Sequence, residues 1–192
     1  MSKRVFIVHG WGGNPEEGWF PWLKKELEAN GFQVHVPQLP ETNTPHINAW
    51  VPALARAVGV ADRETYFVGH SMGCQTIARY LATLPANSVV GGAVFVAGFF
   101  KSLTNLEEGE EPEIADEWLK TPLDLNAVYA HLPKSVAIFS DNDPFVPPEN
   151  QSTYRDVLKS QIIVEHAQGH FSGSEGVMQL PSARDAILNM AQ

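Results

Sequence analysis

The pattern with the most chemical content in this sequence is Gly-His-Ser-Met-Gly at residues 69–73, between an apolar stretch and a helix-forming segment. Glycines two positions on either side of a serine let a strand turn sharply into a helix, because side chains there would collide with neighbouring elements. The turn exposes the hydroxyl and points the unpaired amides of the helix N-terminus toward it. Chance alone gives this pattern in about one chain in fifteen of this length. The pattern alone is therefore weak evidence, but its position between a strand and a helix predicts that Ser71 is a nucleophile.

A serine hydroxyl becomes a useful nucleophile when a neighbouring imidazole can accept its proton. In folds built around this turn the chain order is serine, carboxylate, histidine. That order leaves His131, His166 and His170 among the seven histidines. We favour His170, which stands in a glycine-flanked loop after the last predicted strand, because parallel sheets gather reactive groups at the carboxyl ends of their strands. His166, at the end of that strand, is the alternative base. A purely structural role for His170, in which it only caps local backbone groups, is the other possibility.

The carboxylate that would orient this histidine is predicted to be Asp143. It follows the apolar run 136–139, precedes Pro144 and lies between Ser71 and His170 in the chain. Such a carboxylate holds the imidazole tautomer and stabilises the imidazolium, which is worth about 10⁴ in kcat in a serine protease. Asp141 is the rival, although an aspartate in such a loop often serves only the turn, by bonding its own backbone.

A second glycine-rich segment, His-Gly-Trp-Gly-Gly at residues 9–13, follows the first predicted strand. Its glycines would let the backbone approach a substrate carbonyl, so we predict an oxyanion hole made by the amides of Trp11 and Met72, each worth about 3 to 4 kcal/mol. Neither a dinucleotide fingerprint nor a P-loop lysine is present, which argues against a phosphate cradle. The residues expected to line the substrate pocket are His9, Gly10, Trp11 and His70.

Composition limits the remaining classes of function. The 192 residues are 44% hydrophobic and carry a net charge of −9, with a pI near 5.2, which disfavours a nucleic-acid partner. Cys74 is the only cysteine, so no internal disulfide is possible and we predict a small core side chain. From the apolar patterns and residue spacings we expect no secretory signal, no membrane-spanning run and no metal-ligand set. We therefore expect a single cytoplasmic domain that spans residues 1–192, without cofactor, metal site or membrane partner.

Short apolar runs alternate with amphipathic segments, as in βα repeats that build a parallel sheet. The segment 99–132 departs from this rhythm and carries an acidic run at residues 107–113, which we interpret as a solvated surface loop, with a lid as the alternative. Strands are predicted at residues 4–9, 33–37, 65–70, 89–96, 135–140 and 161–166, and helices at 15–30, 46–58, 72–84, 147–159 and 180–190, the last interrupted by Pro181.

The segments His-Gly-Trp-Gly at 9–12, Trp-Phe-Pro-Trp-Leu-Lys at 19–24, Gly-His-Ser-Met-Gly-Cys at 69–74, Gly-Phe at 98–99 and Gly-His-Phe at 169–171 together resemble the small serine hydrolases of the YdeN and retinoblastoma-binding-protein-9 family. The resemblance spans nearly the whole chain, and the bacterial branch looks closer. It implies Ser71, Asp143 and His170 as the catalytic triad. The animal branch has a proposed retinoblastoma-protein contact through a Leu-x-Cys-x-Glu segment, which this sequence lacks.

The resemblance and the turn together predict an α/β-hydrolase fold: a mostly parallel six-stranded sheet in the order 2-1-3-4-5-6, helices on both faces and no large cap domain. The leading functional hypothesis is a serine hydrolase, a carboxylesterase that cleaves a small-molecule ester or related acyl bond through an acyl-Ser71 intermediate. The alternative is a protein-binding module on a hydrolase scaffold with little or no activity, for which the acidic run would offer a docking surface. Any protein partner stays open.

Overall fold

Six strands form one sheet in the computed structural model, which describes residues 2–109 and 111–192. All five strand pairs are parallel, and the spatial order is β2-β1-β3-β4-β5-β6, so the predicted fold class and strand order are confirmed. The strands are β1 (Arg4–Val8), β2 (Gln33–His35), β3 (Thr65–His70), β4 (Gly92–Val96), β5 (Ser135–Ser140) and β6 (Gln161–Glu165).

Helices cover both faces of the sheet, because alternate strand residues point to opposite sides and both sides are apolar. In β1, Phe6 and Val8 join one core cluster, whereas Val5 and Ile7 join the other. In the described part of the chain, no helix is both long and apolar enough to cross a bilayer. The helices are α1 (Phe20–Ala29), α2 (Ile47–Val58), α3 (Met72–Ala82), α4 (Glu111–Lys120), α5 (Leu125–His131), α6 (Asn150–Asp156) and α7 (Pro181–Met190), with a short 3₁₀ helix at Gly173–Glu175.

Two prolines set helix starts differently from the prediction. The helix expected from residue 15 begins only at Phe20, with Pro21 in its first turn. Pro181 opens α7 instead of interrupting it. Both follow from the same cause: proline lacks an amide hydrogen, and the first helical turn has no intrahelical acceptor for one. Turns and a bend occupy residues 15–19, and Gly18 has a φ of +51°, which a right-handed helix does not allow, so the helix starts only after it.

The segment 99–132 is more ordered than its composition suggested. Residues 111–113 of the acidic run form the first turn of α4, so the interpretation of that part as a solvated loop is wrong; Glu110 lies outside the described residues. The helix forms because Ile114, Ala115 and Trp118 share a buried stripe at helical spacing. Ile114 and Trp118 pack into the core cluster that contains Phe6 and Val8, and α5 returns the chain to β5. We call α4 the flap helix.

Candidate active site

Ser71 occupies the turn between β3 and α3 with φ +52° and ψ −119°, a strained conformation for a residue with a side chain. The flanking glycines make the turn possible. A Cβ on Gly69 would lie 2.8 Å from the amide nitrogen of Cys74, and one on Gly73 would lie 2.2 Å from the carbonyl oxygen of Val8. The serine hydroxyl is therefore held at the carboxyl edge of the sheet by a backbone that tolerates no bulk on either side.

Three side chains from distant parts of the chain meet at this edge. His170 Nε2 lies 2.9 Å from Ser71 Oγ, and His170 Nδ1 lies 2.8 Å and 3.0 Å from the two carboxylate oxygens of Asp143. The Asp143 side chain is only 3% exposed. Its Oδ1 also accepts the amides of Phe145 and Val146 at 2.8 Å and 3.0 Å, which fixes the direction of the carboxylate. The arrangement can relay a proton from the hydroxyl to the imidazole.

The two rival residues form a separate pair outside this arrangement. Asp141 Oδ2 lies 2.6 Å from His166 Nδ1, and its Oδ1 accepts the Ala167 amide at 2.9 Å. The amide of Ala167 and the ring of His166 together hold the pKa of Asp141 below its usual value. The His166 side chain is 89% exposed. The bond from the Ala167 amide to Asp141 therefore holds the start of the loop that carries His170, whereas the His166 ring only covers that carboxylate from the solvent side. The third histidine, His131, is buried, and its Nδ1 lies 2.7 Å from the Ser88 carbonyl oxygen.

Of the two residues whose amides are expected to form the oxyanion hole, Met72 follows the nucleophile directly and Trp11 lines the same cavity as Ser71. Met72 opens α3, where a helix leaves its amides unpaired, and within the described residues neither the Met72 nor the Trp11 amide donates to a protein acceptor. The next amide along, that of Gly12, is already bonded to the Thr42 carbonyl at 2.7 Å. A Cβ on Gly10 would lie 3.0 Å from Ser71 Cβ, so the glycine loop runs directly against the serine.

A cavity of about 480 Å³ opens above Ser71 and His170. Its walls are mostly apolar, and the segment 99–132 supplies several of them. Asn43 and Glu111 add polar groups to the lining. The lining residues are Trp11, Gly12, Asn43, Ser71, Met72, Phe99, Leu103, Leu106, Glu111, Ile114, Phe145 and His170.

Of the four residues expected to line the pocket, only Trp11 does so. The cavity lining does not include His9, Gly10 or His70, and the two histidine side chains are almost completely buried. His9 Nε2 accepts the Leu39 amide at 3.1 Å, and burial lowers the pKa of His9. His70 Nε2 lies 2.7 Å from the His170 carbonyl, which can only accept, so this nitrogen carries a proton. Burial first, and then the positive charge of a protonated His170, lower the pKa of His70 to about 3.

Sequence reasoning missed the cavity walls supplied by Leu103, Leu106 and Ile114. The signal that could have found Ile114 was the helical spacing of Ile114, Ala115 and Trp118 immediately after the acidic run. No local pattern marks Leu103 and Leu106, which stand in a stretch without helix or strand.

The single cysteine, Cys74, is a fully buried side chain of α3. Burial raises the pKa of its thiol, which disfavours the reactive thiolate.

A parallel sheet with a serine on the strand-to-helix turn, a histidine within bonding distance and a carboxylate behind it defines an α/β-hydrolase. The chain belongs to the serine hydrolase family, whose sequence model matches residues 5–189. The YdeN protein of Bacillus subtilis is 30% identical over 187 residues, which cover 97% of this chain and 95% of that protein. The serine hydrolase RBBP9 of Rattus norvegicus is 28% identical over 176 residues, covering 91% and 89%. The family resemblance is thus confirmed.

Solved structures agree on the fold. The crystal structure of the B. subtilis ydeN gene product superposes with a TM-score of 0.89 at 29% identity and covers 98% of both chains. A 2-hydroxy-6-oxo-6-phenylhexa-2,4-dienoate hydrolase of a Rhodococcus strain superposes with a TM-score of 0.70 at 16% identity, covering 98% of this chain and 90% of that one. The second likeness concerns the architecture alone.

Proposed function

We propose that this serine hydrolase is a carboxylesterase that cleaves a small-molecule ester through an acyl-Ser71 intermediate. The observation that carries the proposal is the continuous chain of contacts from Ser71 Oγ through the His170 ring to the Asp143 carboxylate, at 2.9 Å and 2.8 Å. These distances fit proton transfer without rearrangement.

In the first half of the reaction, Ser71 Oγ attacks the ester carbonyl while its proton passes to His170 Nε2. The resulting imidazolium is stabilised by Asp143, whose charge is buried and aimed at Nδ1. The carbonyl oxygen gains negative charge and accepts the amides of Trp11 and Met72. His170 then gives its proton to the departing alcohol, which leaves the acyl group on Ser71.

In the second half, water takes the place of the alcohol. His170 Nε2 removes a proton from the water as it attacks the acyl carbon, and the same two amides stabilise the second tetrahedral intermediate. The proton returns to Ser71 Oγ as the carboxylic acid leaves. Both halves use the same groups, so the chain's own residues suffice for the cycle.

The cavity supports a small, largely apolar substrate. A volume of about 480 Å³ is within the range of small-molecule sites, and the walls made by Phe99, Ile114 and Phe145 favour hydrocarbon over charge. We expect p-nitrophenyl esters of short and medium acyl chains to be hydrolysed and long-chain esters to be poor substrates.

The decisive experiment combines covalent labelling with turnover. A fluorophosphonate probe should label the wild-type protein at Ser71, and Ser71→Ala should abolish both labelling and p-nitrophenyl ester hydrolysis. His170→Ala should lower kcat by about 10⁴-fold or more, as loss of a triad base does. His166→Ala, the matched control on the same loop, should stay within a few-fold of wild type. A folded wild-type protein that neither reacts with the probe nor turns over any ester would instead favour the binding module.

A further inference from the structure

The loop that carries His170 has an unusual backbone. Ala167, Gly169 and Phe171 have φ values of +56°, +55° and +57°, so every second residue from 167 to 171 is left-handed. For alanine and phenylalanine this conformation costs free energy and persists only when surrounding contacts enforce it. The position of the His170 imidazole therefore depends on the groups that hold this loop in place.

Glu175 holds the amino side of the His170 peptide. Both of its carboxylate oxygens accept the His170 amide, at 3.0 Å and 2.9 Å, and Oε2 also accepts the Ser172 amide at 3.0 Å and the Ser172 hydroxyl at 2.7 Å. Burial alone raises the pKa of Glu175, but the hydrogen bonds from the His170 amide and from Ser172 outweigh it and hold that pKa below its usual value. The charged carboxylate is thus the form that binds the loop.

His70 holds the carbonyl side of the same residue. Its Nε2 donates to the His170 carbonyl at 2.7 Å, and its ring packs edge-on against Trp19 and Phe20. The Trp19 indole donates to the next carbonyl, that of Phe171, at 3.0 Å. The His170 main chain is therefore bonded on both sides, by Glu175 from the loop and by His70 from the serine turn.

Gly169 shows how closely the loop is seated on the carboxylate. A Cβ built there would lie 2.0 Å from Glu175 Oε1, so any larger residue would push the carboxylate away from the His170 amide. The glycine thus leaves the space that the carboxylate occupies, in addition to adopting its left-handed φ.

We propose that Glu175 is a positioning residue for His170: together with His70 it holds the two ends of the His170 peptide and so fixes the imidazole within reach of Ser71. The inference rests on the proposed hydrolase function and adds a carboxylate that the triad does not include. Glu175 is largely exposed, so its influence falls on the geometry of the loop and not on global stability.

The test uses Glu175→Ala, Glu175→Gln and a matched control, Asp62→Ala. Asp62 also accepts an amide and a hydroxyl, those of Glu64 and Thr65 at 3.0 Å and 2.9 Å, but it lies at the opposite end of β3 from Ser71. For each variant kcat and KM are measured with a p-nitrophenyl ester, Tm by calorimetry, and the distance from His170 Nε2 to Ser71 Oγ in a crystal structure.

Glu175→Ala should lower kcat by about 10- to 100-fold, the scale of an ångström-size misplacement, with KM within about twofold. Its Tm should stay within about 4 °C of wild type, as for surface substitutions. Glu175→Gln should recover part of kcat, because its one amide oxygen can still accept the His170 amide although the negative charge and the second acceptor oxygen are lost. Asp62→Ala should leave kcat within about twofold.

The inference is overturned if Glu175→Ala keeps kcat within twofold of wild type, if glutamine gives no recovery, or if Asp62→Ala loses as much activity. Should the wild-type protein hydrolyse no ester at all, the proposed function fails on its own, and the crystal structures still decide the positioning role. A distance from Nε2 to Oγ that exceeds 3.5 Å in Glu175→Ala supports it, and an unchanged 2.9 Å contact overturns it.

Discussion

The guanidinium of Arg79 in α3 donates to the backbone carbonyl of Trp118 in α4 at 2.8 Å. The same group donates to the Thr121 carbonyl at 2.9 Å, so it caps the C-terminal end of α4. On the other side, Glu117 accepts the amide of Ile47 at 2.9 Å, at the start of α2. The flap helix, whose Ile114 lines the cavity, is therefore fastened to α3, the helix that begins at the serine turn.

Arg79→Met should loosen this flap. It would leave the Thr121 carbonyl without its donor while keeping a side chain of similar length, and an unpaired, partly buried carbonyl costs about 1 to 3 kcal/mol. Urea unfolding should show that loss of unfolding free energy, and hydrogen exchange should become faster in residues 111–121. Arg155→Met, which removes only a surface pair with Asp156, should change stability by less than about 0.5 kcal/mol. Equal stability of the two variants would contradict the anchoring role.

Asp143→Asn and Asp141→Asn should separate the two candidate carboxylates by activity. An amide in place of the Asp143 carboxylate could not stabilise the imidazolium and would favour the wrong tautomer, so kcat should fall by about 10⁴-fold with little change in Tm. Asp141→Asn weakens the contact with exposed His166 but keeps an oxygen that can accept the Ala167 amide, so kcat should stay within a few-fold. Steady-state kinetics on one ester decides the matter, and a comparable loss in both variants would refute the assignment to Asp143.

Gly73→Ala should damage the site through steric conflict alone. Its Cβ would lie 2.2 Å from the Val8 carbonyl oxygen and 2.7 Å from that of His9, which are backbone atoms that cannot give way cheaply. We expect a loss of about 1 to 3 kcal/mol in unfolding free energy and a lower kcat, because the displaced segment leads into the glycine loop at 9–13. Gly31→Ala meets no atom within 4 Å, so it should cost only left-handed backbone strain and leave kcat unchanged. Full activity of Gly73→Ala would disprove the argument.

His70 should make stability depend on pH. The unfolded chain takes up a proton at His70 near pH 6.5, whereas burial lowers the pKa of His70 to about 3 in the folded protein. The neutral His70 therefore contributes fully to the free energy of unfolding above pH 6.5. This contribution is lost as the pH falls toward 3, by up to about 1.4 kcal/mol per pH unit. His70→Gln should flatten this dependence between about pH 5 and 7 in urea unfolding. Parallel curves for the two proteins would show that His70 carries no such linkage.

Much of the architecture was readable from the chain because its signals are local. An apolar run such as β3 can be buried on both faces only in a covered sheet, and the glycines around Ser71 permit only one kind of turn. The flap was misjudged because the acidic residues at 107–113 dominate its composition, while the burial of Ile114 and Trp118 depends on what lies beneath them. Likewise, His9 and His70 stand beside the predicted reactive residues in sequence, yet their side chains point into the interior.

The sequence by itself determined the parallel-sheet fold class, the serine turn and the family. The first two follow from local patterns and short-range sterics, and the family follows from short motifs that are each recognisable without the fold. Only the tertiary structure decided which carboxylate reaches which histidine. Asp141 and Asp143 stand two residues apart in one loop with the same chemistry, and their partners differ because the backbone between them turns one side chain outward to His166 and the other inward to His170. Such a choice is made by contacts across 27 residues of chain, and no local propensity encodes it.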